Sequence, residues 1–297
     1  MPSTRDIRRR IKSVKNTAQI TKAMQMVAAA KMKKAQDAAT QGRPYADLLN
    51  KVLVSLKERV EENIHPYFSS GKAGKTLVLL ITSDKGLCGA FNTNLLKKVF
   101  TSDLGEETEF ISIGRKGAQS LARLQKELSA DFSIKDPARF DQLRPVSRLL
   151  QEKFLSGEYE RVLVGFNNFV NTATVIPSLE QLLPINPVTL GGKRSYEGMG
   201  QGEVAATTAG PSLEYAFEPN VADVFTQILP QYVSNTLFQM LLESRASEHS
   251  SRMVAMKNAT DNAKQMLKDL TLEYNKVRQA AITNELLEIT TAKMALE

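Results

Sequence analysis

Ser247, His249 and Asp261 have the residue types of a hydrolase triad, in which a histidine activates a serine and a carboxylate orients the histidine. All three fall within one predicted straight helix, where residues two and fourteen positions apart do not converge. The whole sequence has one cysteine and two histidines, which makes a zinc site built only from protein ligands implausible. We therefore expect no catalytic, cofactor-binding or metal-binding residues in this chain.

Three glycine-containing segments could hold a phosphate or another small anion. GKAGKT (71–76) is like the end of a phosphate-binding loop, but Ser69 stands where that loop needs glycine, and the segment precedes a strand instead of following one. SDKGLCGAFN (83–92) and GRKG (114–117) each follow a predicted strand and open a helix, so their amides could cradle an anion. The alternative for both is an ordinary turn or a surface for a protein partner.

Basic residues are concentrated near the N-terminus. The chain has 39 Lys and Arg against 32 Asp and Glu, a net charge of +7, and residues 1–34 contain ten basic side chains and one acid. A basic arm of this kind binds nucleic acid, an anionic membrane or an acidic protein. Its bases alternate with an apolar seam, and few aromatic or amide side chains are arranged to read bases, which favours a solvated or partner-facing surface.

Long helices are predicted at both ends of the chain. Residues 3 to about 60 have apolar positions at heptad spacing, and a second helix is predicted from Pro219 onward. The first seam is Ile7, Ile11, Val14 and Ala18, continued with a shift by Ile20, Met24 and Val27; the second is Ala263, Leu267, Leu270, Tyr274, Val277 and Ala281. Two such helices pair most simply as a long antiparallel coiled coil.

The second helix is predicted to be longer than the first, so its C-terminal end should project past its partner. This end has apolar side chains that would be exposed, which predicts an external sleeve around it. The side chains are Ile282, Leu286, Leu287 and Ile289. No apolar run in the sequence approaches the 18 residues of a membrane span, so we expect no transmembrane helix.

The centre of the sequence predicts an α/β domain. Continuous apolar runs at 77–81, 109–113 and 161–166 are typical of buried parallel strands, and helical stretches near 92–101, 115–128 and 146–156 alternate with them. This order predicts a small βαβ, Rossmann-like sheet. The expected organisation is a coiled-coil helix over 1–60, an α/β domain over 75–215 with a glycine-rich excursion at 191–212, and a second coiled-coil helix over 219–297.

Three segments of the chain closely resemble the gamma subunits of F-type ATP synthases. They are IRRRIKSVKNTAQITKAMQMVAAAKMKKAQ (7–36), SDKGLCGAFN (83–92) and ASEHSSRMVAMKNATDNAKQMLKDLTLEYNKVRQAAITNELLEI (246–289). The two terminal segments are highly specific and together cover about 75 residues, and the strand order of the middle is compatible with the family.

The resemblance implies a rotor shaft. In this family the coiled coil fills the centre of a hexamer of alternating alpha and beta subunits, and the α/β domain sits against epsilon and the membrane-embedded c-ring. Proton flow turns the ring and the shaft, whose asymmetry drives the catalytic beta sites through different conformations. The resemblance thus implies a non-catalytic subunit without cofactors or nucleic-acid partners, held through the c-ring on the cytoplasmic side of a bacterial inner membrane.

The resemblance also indicates residues for partner contact and coupling. Lys22 and Met24 match the part of the first helix that faces beta. Arg252, Gln279 and Thr283 match family positions linked to coupling efficiency. Of these, Arg252 and Gln279 resemble hydrogen-bond or ion-pair contacts to the surrounding ring of subunits.

Two further residues are indicated by the same resemblance. Cys88, in its glycine turn, matches a position near the acidic catch loop of beta. Tyr215, in EYAFEP, resembles the foot that touches the c-ring. Because Cys88 is the single cysteine, the chain has no thiol-containing regulatory insertion of the chloroplast type.

Two other classes of function are open from the sequence. A coiled-coil tether for nucleic acid or a membrane would show steeply salt-dependent, submicromolar DNA affinity at physiological salt. An enzyme using the 83–92 turn would hydrolyse nucleotide as a pure chain and lose that activity when Gly86 and Gly89 are changed.

Overall fold

The structure is a computed structural model that describes residues 3–57, 65–69, 74–105, 107–185, 218 and 220–296. The chain divides into two compact units. One, which we call the terminal unit, comprises Met1–Ala28 and Met253–Glu297; the other, the sheet unit, comprises Ala29–Arg252. The glycine-rich segment 191–212, Tyr215 and the first residues of GKAGKT lie outside the described residues.

The described residues contain five α-helices, five strands and a 3₁₀ turn at Pro66–Phe68. The helices are α1 (Thr4–Lys57), α2 (Phe91–Phe100), α3 (Arg115–Arg123), α4 (Phe140–Leu155) and α5 (Val221–Leu296). The strands are β1 (Lys75–Ile81), β2 (Thr108–Ile113), β3 (Leu128–Phe132), β4 (Tyr159–Phe169) and β5 (Val175–Leu183). None of the helices in this part of the chain combines the length and the apolar composition needed to cross a bilayer.

The sheet has the order β3-β2-β1-β4-β5. The first four strands are parallel, and β5 pairs antiparallel with β4. The α/β class and the three predicted strands are confirmed, because β1, β2 and β4 contain the three apolar runs. The helix predicted over 115–128 is too long: α3 ends at Arg123, Gln125 takes a left-handed φ of 53°, and the chain continues into β3.

Both faces of the sheet are covered, as the continuous apolar strands require. On one face, β1 and β4 pack with α4 and with the parts of α1 and α5 that belong to the sheet unit. On the other face, the sheet packs with α2 and α3. Every described side chain from Gln239 to Ser250 of α5 is buried, so this stretch of helix is part of the core of the sheet unit.

In the terminal unit the seam of α1 differs from the predicted one. Its buried or half-buried positions are Ile7, Ile11, Val14, Ala18, Thr21, Gln25 and Ala28, which keep one unbroken heptad spacing. The predicted shift to Ile20, Met24 and Val27 is therefore wrong: Ile20 and Val27 are 60% and 57% exposed, and Met24 lies half-buried at the flank. Thr21 can occupy the seam because its hydroxyl lies 2.7 Å from that of Thr260, which satisfies both buried groups.

The predicted seam of α5 is confirmed. Ala263, Leu267, Leu270, Tyr274, Val277 and Ala281 are all buried or half-buried. The two long helices run antiparallel: Thr21 meets Thr260 in the terminal unit and, 21 residues further along α1, Gly42 meets Gln239 in the sheet unit, 21 residues back along α5. A side chain on Gly42 would place its Cβ 2.5 Å from Gln239 Nε2, so this crossing needs glycine.

Gly114 joins β2 to α3 and provides a test of the sheet unit. Its φ is 101°, and a methyl group there would overlap the carbonyl oxygen of Thr82. We expect Gly114→Ala to lower the free energy of unfolding by about 2–4 kcal/mol, because backbone strain adds to the overlap. Urea unfolding of the full chain measures it.

The matched control for Gly114→Ala is Gly86→Ala, because no atom lies within 4 Å of the added methyl group. This control is expected to change the free energy of unfolding by less than about 0.5 kcal/mol. Equal unfolding midpoints for the two variants would contradict the steric argument.

Candidate functional site

The carboxyl edge of the parallel strands is where open α/β sheets bind ligands, at the point where the strand order reverses. In this sheet that point lies between β1 and β4, and α5 fills it. Three serines of α5 donate hydrogen bonds to backbone carbonyls there. The bonds are Ser244 Oγ to Ile81 O at 3.5 Å, Ser247 Oγ to Asn167 O at 3.0 Å and Ser250 Oγ to Thr172 O at 2.8 Å. A ligand could not occupy the same space without displacing the helix.

The amides of GRKG are bonded to oxygen atoms of the chain itself. Arg115 N donates to Asp84 Oδ1 at 3.2 Å, and Lys116 N donates to Ser83 O at 3.1 Å. Gly117 N donates to Thr82 Oγ1 at 2.8 Å. These bonds satisfy the start of α3 that could have held an anion. The geometry therefore favours an ordinary strand-to-helix turn.

Side chains within the 83–92 turn hold it together. Asn92 accepts a hydrogen bond from Ser83 N at 3.1 Å and donates one to Ser83 Oγ at 2.8 Å. Ser83 Oγ donates to Lys85 O at 2.9 Å, and Cys88 Sγ lies 3.5 Å from Asn92 Nδ2. The thiol of Cys88 is therefore packed inside the turn, and Cys88 is only 2% exposed.

Arg252 of α5 contacts the same turn. Its Nη2 lies 2.8 Å from Glu248 Oε1 and donates to Lys85 O at 3.1 Å. Nε and Nη2 both lie 3.4 Å from Gly86 O. The side chain is 12% exposed. The structure thus places Arg252 between α5 and the tip of the turn, with its polar atoms bonded inside the sheet unit.

A buried ion pair lies next to Arg252. Arg245 Nη1 is 2.9 Å from Glu248 Oε2, and both side chains are almost fully buried. Arg245 Nη2 donates to Ile134 O at 2.8 Å and lies 3.7 Å from Asp84 Oδ2. Glu248 therefore receives one guanidinium on each carboxylate oxygen, Arg245 on one and Arg252 on the other. Such pairing is what makes the burial of a carboxylate tolerable.

His249 belongs to a second charged cluster in the sheet unit. Its Nε2 lies 3.1 Å from Asp136 Oδ2, and Lys31 Nζ donates to the same oxygen at 2.9 Å. His249 and Lys31 hold the pKa of Asp136 well below its ordinary value, against the opposing effect of burial. The sequence gave no signal for this cluster, because its members come from α1, a loop and α5 and are far apart in the chain.

The three residues of the apparent hydrolase triad have separate partners. Ser247 bonds a backbone carbonyl, and His249 contacts Asp136. Asp261 is exposed and lies 3.8 Å from Lys264 on the next turn of its own helix. The arrangement therefore offers no nucleophile activated by a base, as the sequence spacing predicted.

The remaining residues indicated by the resemblance belong to the terminal unit. Lys22 is exposed, and its Nζ donates to Gln25 Oε1 at 3.3 Å. Gln279 and Thr283 are exposed one turn apart on α5, where Thr283 Oγ1 donates to Gln279 O at 2.9 Å. The structure therefore places Lys22, Gln279 and Thr283 on the surface of this unit.

The Asp136 cluster gives a prediction about pH. A folded-state pKa below the unfolded value means that the ionised carboxylate stabilises the fold at neutral pH, and that this contribution is lost as the pH falls below about 3.8. We expect Asp136→Asn to lower the free energy of unfolding at pH 7 by about 1–3 kcal/mol. The difference from wild type should narrow between pH 4 and pH 2.

Urea unfolding of the full chain across that pH range measures the effect. Asp141→Asn is the control, because Asp141 and its partner Arg139 are both exposed. Its expected effect is within about 0.5 kcal/mol. A loss for Asp136→Asn that is the same at pH 7 and pH 2 would show that the charge of Asp136 does not stabilise the fold.

Comparisons with known proteins cover nearly the whole chain. A family model described as ATP synthase matches residues 3–296. The ATP synthase gamma chain of Opitutus terrae is 46% identical over 297 residues, with 99% of each chain covered. The ATP synthase gamma chain of Akkermansia muciniphila is 48% identical over 302 residues, with 100% of each chain covered.

Solved structures give the same family of folds. A chain from the central stalk and c-ring of the Tetrahymena thermophila mitochondrial ATP synthase aligns with a TM-score of 0.59 and 25% identity, covering 81% of this chain and 99% of that one. A chain from the F1 and c-ring assembly of the Euglena gracilis enzyme aligns with a TM-score of 0.65 and 19% identity, covering 99% and 94%. The chain belongs to the ATP synthase gamma-chain family.

Proposed function

We propose that this chain is the rotating central shaft of an F-type ATP synthase, which couples proton flow through the membrane sector to ATP synthesis on the beta subunits. Under this proposal the chain is a subunit without catalytic residues or cofactors of its own. Its family membership supports the proposal, and the observation that carries it is the surface of the C-terminal end of α5.

That end extends beyond the helix pairing of the terminal unit. α1 begins at Thr4, which is 17 residues before Thr21, and the antiparallel α5 reaches Val277 an equal number of residues after Thr260. Every described side chain from 282 to 294 is exposed. The large apolar ones are Ile282, Leu286, Leu287, Ile289 and Met294. Because exposed apolar surface of this extent marks an interaction site, we infer that a surrounding protein sleeve covers it.

The polar side chains of the same end make few directional contacts available to a partner. The hydroxyl of Thr290 donates to Leu287 O, and Thr291 Oγ1 lies within bonding distance of the carbonyls of Leu287 and Glu288. Thr283 bonds in the same way to the carbonyl of Gln279. These donors are satisfied within the helix, so contacts with a sleeve would be mostly apolar and weakly dependent on angle. A bearing that must turn needs contacts of this kind.

The proposed partners are the alpha and beta subunits around the coiled coil, the epsilon subunit, and the c-ring, through which the chain contacts the membrane. We place it on the cytoplasmic side of a bacterial inner membrane. The similar Tetrahymena and Euglena chains come from assemblies described with a central stalk, F1 and a c-ring, which supports this choice. The exposed basic side chains of α1 fit acidic loops on beta, with an attraction that weakens as salt rises.

Within this assembly we propose Lys22, Met24, Cys88, Arg252, Gln279 and Thr283 as the residues of partner contact and coupling, and Tyr215 as the contact with the c-ring. Exposure of Lys22, Gln279 and Thr283 supports direct contact for those three. Cys88 is buried, so its part in coupling would be to shape the turn that carries it.

Co-purification tests the proposed function. A tagged form of this chain, expressed in its own cells, should bring down alpha, beta and epsilon in a 3:3:1 ratio with it, the ratio that the family resemblance implies. Membrane vesicles carrying the complex should pump protons when ATP is added. Recovery of the chain alone, or with nucleic acid in place of these subunits, would refute the proposal.

Met24 gives a mutational prediction for coupling. Met24→Lys should leave folding nearly intact, because Met24 is half-buried and a lysine stem can lie along the helix with its ammonium in water. The added charge at a rotor–stator contact should lower the number of protons pumped per ATP hydrolysed. Met24→Leu, which keeps the side chain apolar, is the control. Unchanged pumping per ATP in the lysine variant would count against a contact at Met24.

The exposed end of α5 gives a second prediction. Removing the residues from Ile289 onward should reduce coupling less than Gln279→Ala or Arg252→Ala does, because a bearing of many weak contacts is redundant. ATP-driven proton pumping and subunit recovery of the three variants measure this order. Complete loss of assembly on truncation would contradict the bearing.

A further inference from the structure

The contacts of Arg252 point to a role inside the chain. Its guanidinium bonds one carboxylate on its own helix and two carbonyls at the tip of the 83–92 turn. Only 12% of the side chain is exposed. A direct bond from Arg252 to a surrounding subunit would have to replace contacts that are already made. The effect of this residue on a partner must therefore pass through the turn that it holds.

The held turn presents two side chains to solvent. Leu87 is 62% exposed and has a φ of 63°, a left-handed conformation that leucine rarely adopts. Lys85 is also exposed. Such a conformation persists only where the surroundings impose it. Here the carbonyls of the two preceding residues are fixed by Arg252, and Asn92 and Ser83 fix the base of the turn.

The surroundings of Leu87 are positively charged. Lys85 and Arg115 are exposed, and Lys116 is half-buried on the adjacent start of α3. The one acid of the turn, Asp84, already accepts a bond from Arg115 N and lies beside Arg245. An apolar side chain ringed by basic ones fits a partner segment that is acidic and has an apolar residue of its own.

We propose that Arg252 is a positioning residue, which ties the 83–92 turn to α5 so that Leu87 and Lys85 are held as the contact with an acidic segment of the stator. This inference rests on the proposed function, because the stator contact has meaning only for a rotor. It differs from a direct bond between Arg252 and the surrounding ring, which the resemblance suggested.

Hydrogen exchange tests the tie without reference to function. In the assembled complex, Arg252→Ala should raise the exchange rate of the amides in residues 83–92 about tenfold or more, since the turn loses its attachment to α5. Arg252→Lys should also raise the rate, because a compact ammonium does not reproduce the fork that reaches both carbonyls and Glu248. Wild-type exchange rates in both variants would overturn the proposal.

Arg252→Lys also separates the two roles by coupling. It keeps the positive charge that a direct ion pair with the ring would need, but it loses the fork. We expect protons pumped per ATP to fall about twofold or more in Arg252→Lys. Normal coupling in this variant, together with loss of coupling in Arg252→Ala, would show that Arg252 acts by its charge on the partner and would overturn the positioning role.

Leu87→Gly separates coupling from stability. Glycine adopts a left-handed φ freely, so this variant should fold at least as stably as wild type while it loses the apolar contact and couples less well. Gln125→Gly is the matched control, because Gln125 is the other described non-glycine residue with a positive φ and lies at the end of α3. It should leave coupling unchanged. Normal coupling in Leu87→Gly would overturn the presented contact.

The double variant Arg252→Lys with Leu87→Gly completes the test. If Arg252 acts through Leu87, the double variant should couple no worse than the weaker single one. Multiplied defects would show independent contacts and would overturn the proposal. Failure of the proposed function is distinguishable, because it would appear as a wild-type complex that does not pump protons, whereas the exchange measurement tests the tie in either case.

Discussion

The fold depends on the burial of a polar stretch of one long helix at the carboxyl edge of a parallel sheet. Residues 243–250 of α5 are all buried, although Arg245, Glu248 and His249 lie among them. A buried charge is tolerated only when a partner of opposite sign or a hydrogen bond compensates its loss of water. The partners are supplied by the loops that follow the strands, so the side-chain pairs fix the rotation of this stretch of α5 within the sheet unit.

The same contacts explain why a Rossmann-like sheet has no ligand crevice here. In a nucleotide-binding protein of this architecture, glycine turns and the starts of helices leave amides free at the edge of the sheet. Here α5 serines take the carbonyls beside β1 and β4, and Thr82, Ser83 and Asp84 satisfy the first amides of α3. The sheet serves as a mount for a helix, which illustrates that a fold alone does not determine function.

The sequence predicted the parts of the structure that depend on local pattern. The apolar strands β1, β2 and β4 and the seam of α5 follow from residue periodicity. The edge strand β3 was missed because its half-exposed residues alternate weakly, and Thr21 was missed in the α1 seam because its burial depends on Thr260. Likewise, the pairing of Asp136 with His249 joins residues brought together only by the tertiary fold, so no spacing rule reveals it.

Two kinds of chemistry follow one another along α5. From Ser244 to Arg252 the side chains make directional hydrogen bonds and ion pairs with fixed partners, a geometry that resists twisting of the helix relative to the sheet. From 282 to 294 the surface is apolar, and its described threonine hydroxyls bond their own helix. A shaft that transmits torque must be gripped without slip at one part and turn freely at another. Directional contacts provide the first property because they have a single best geometry, and non-directional contacts provide the second because they have none.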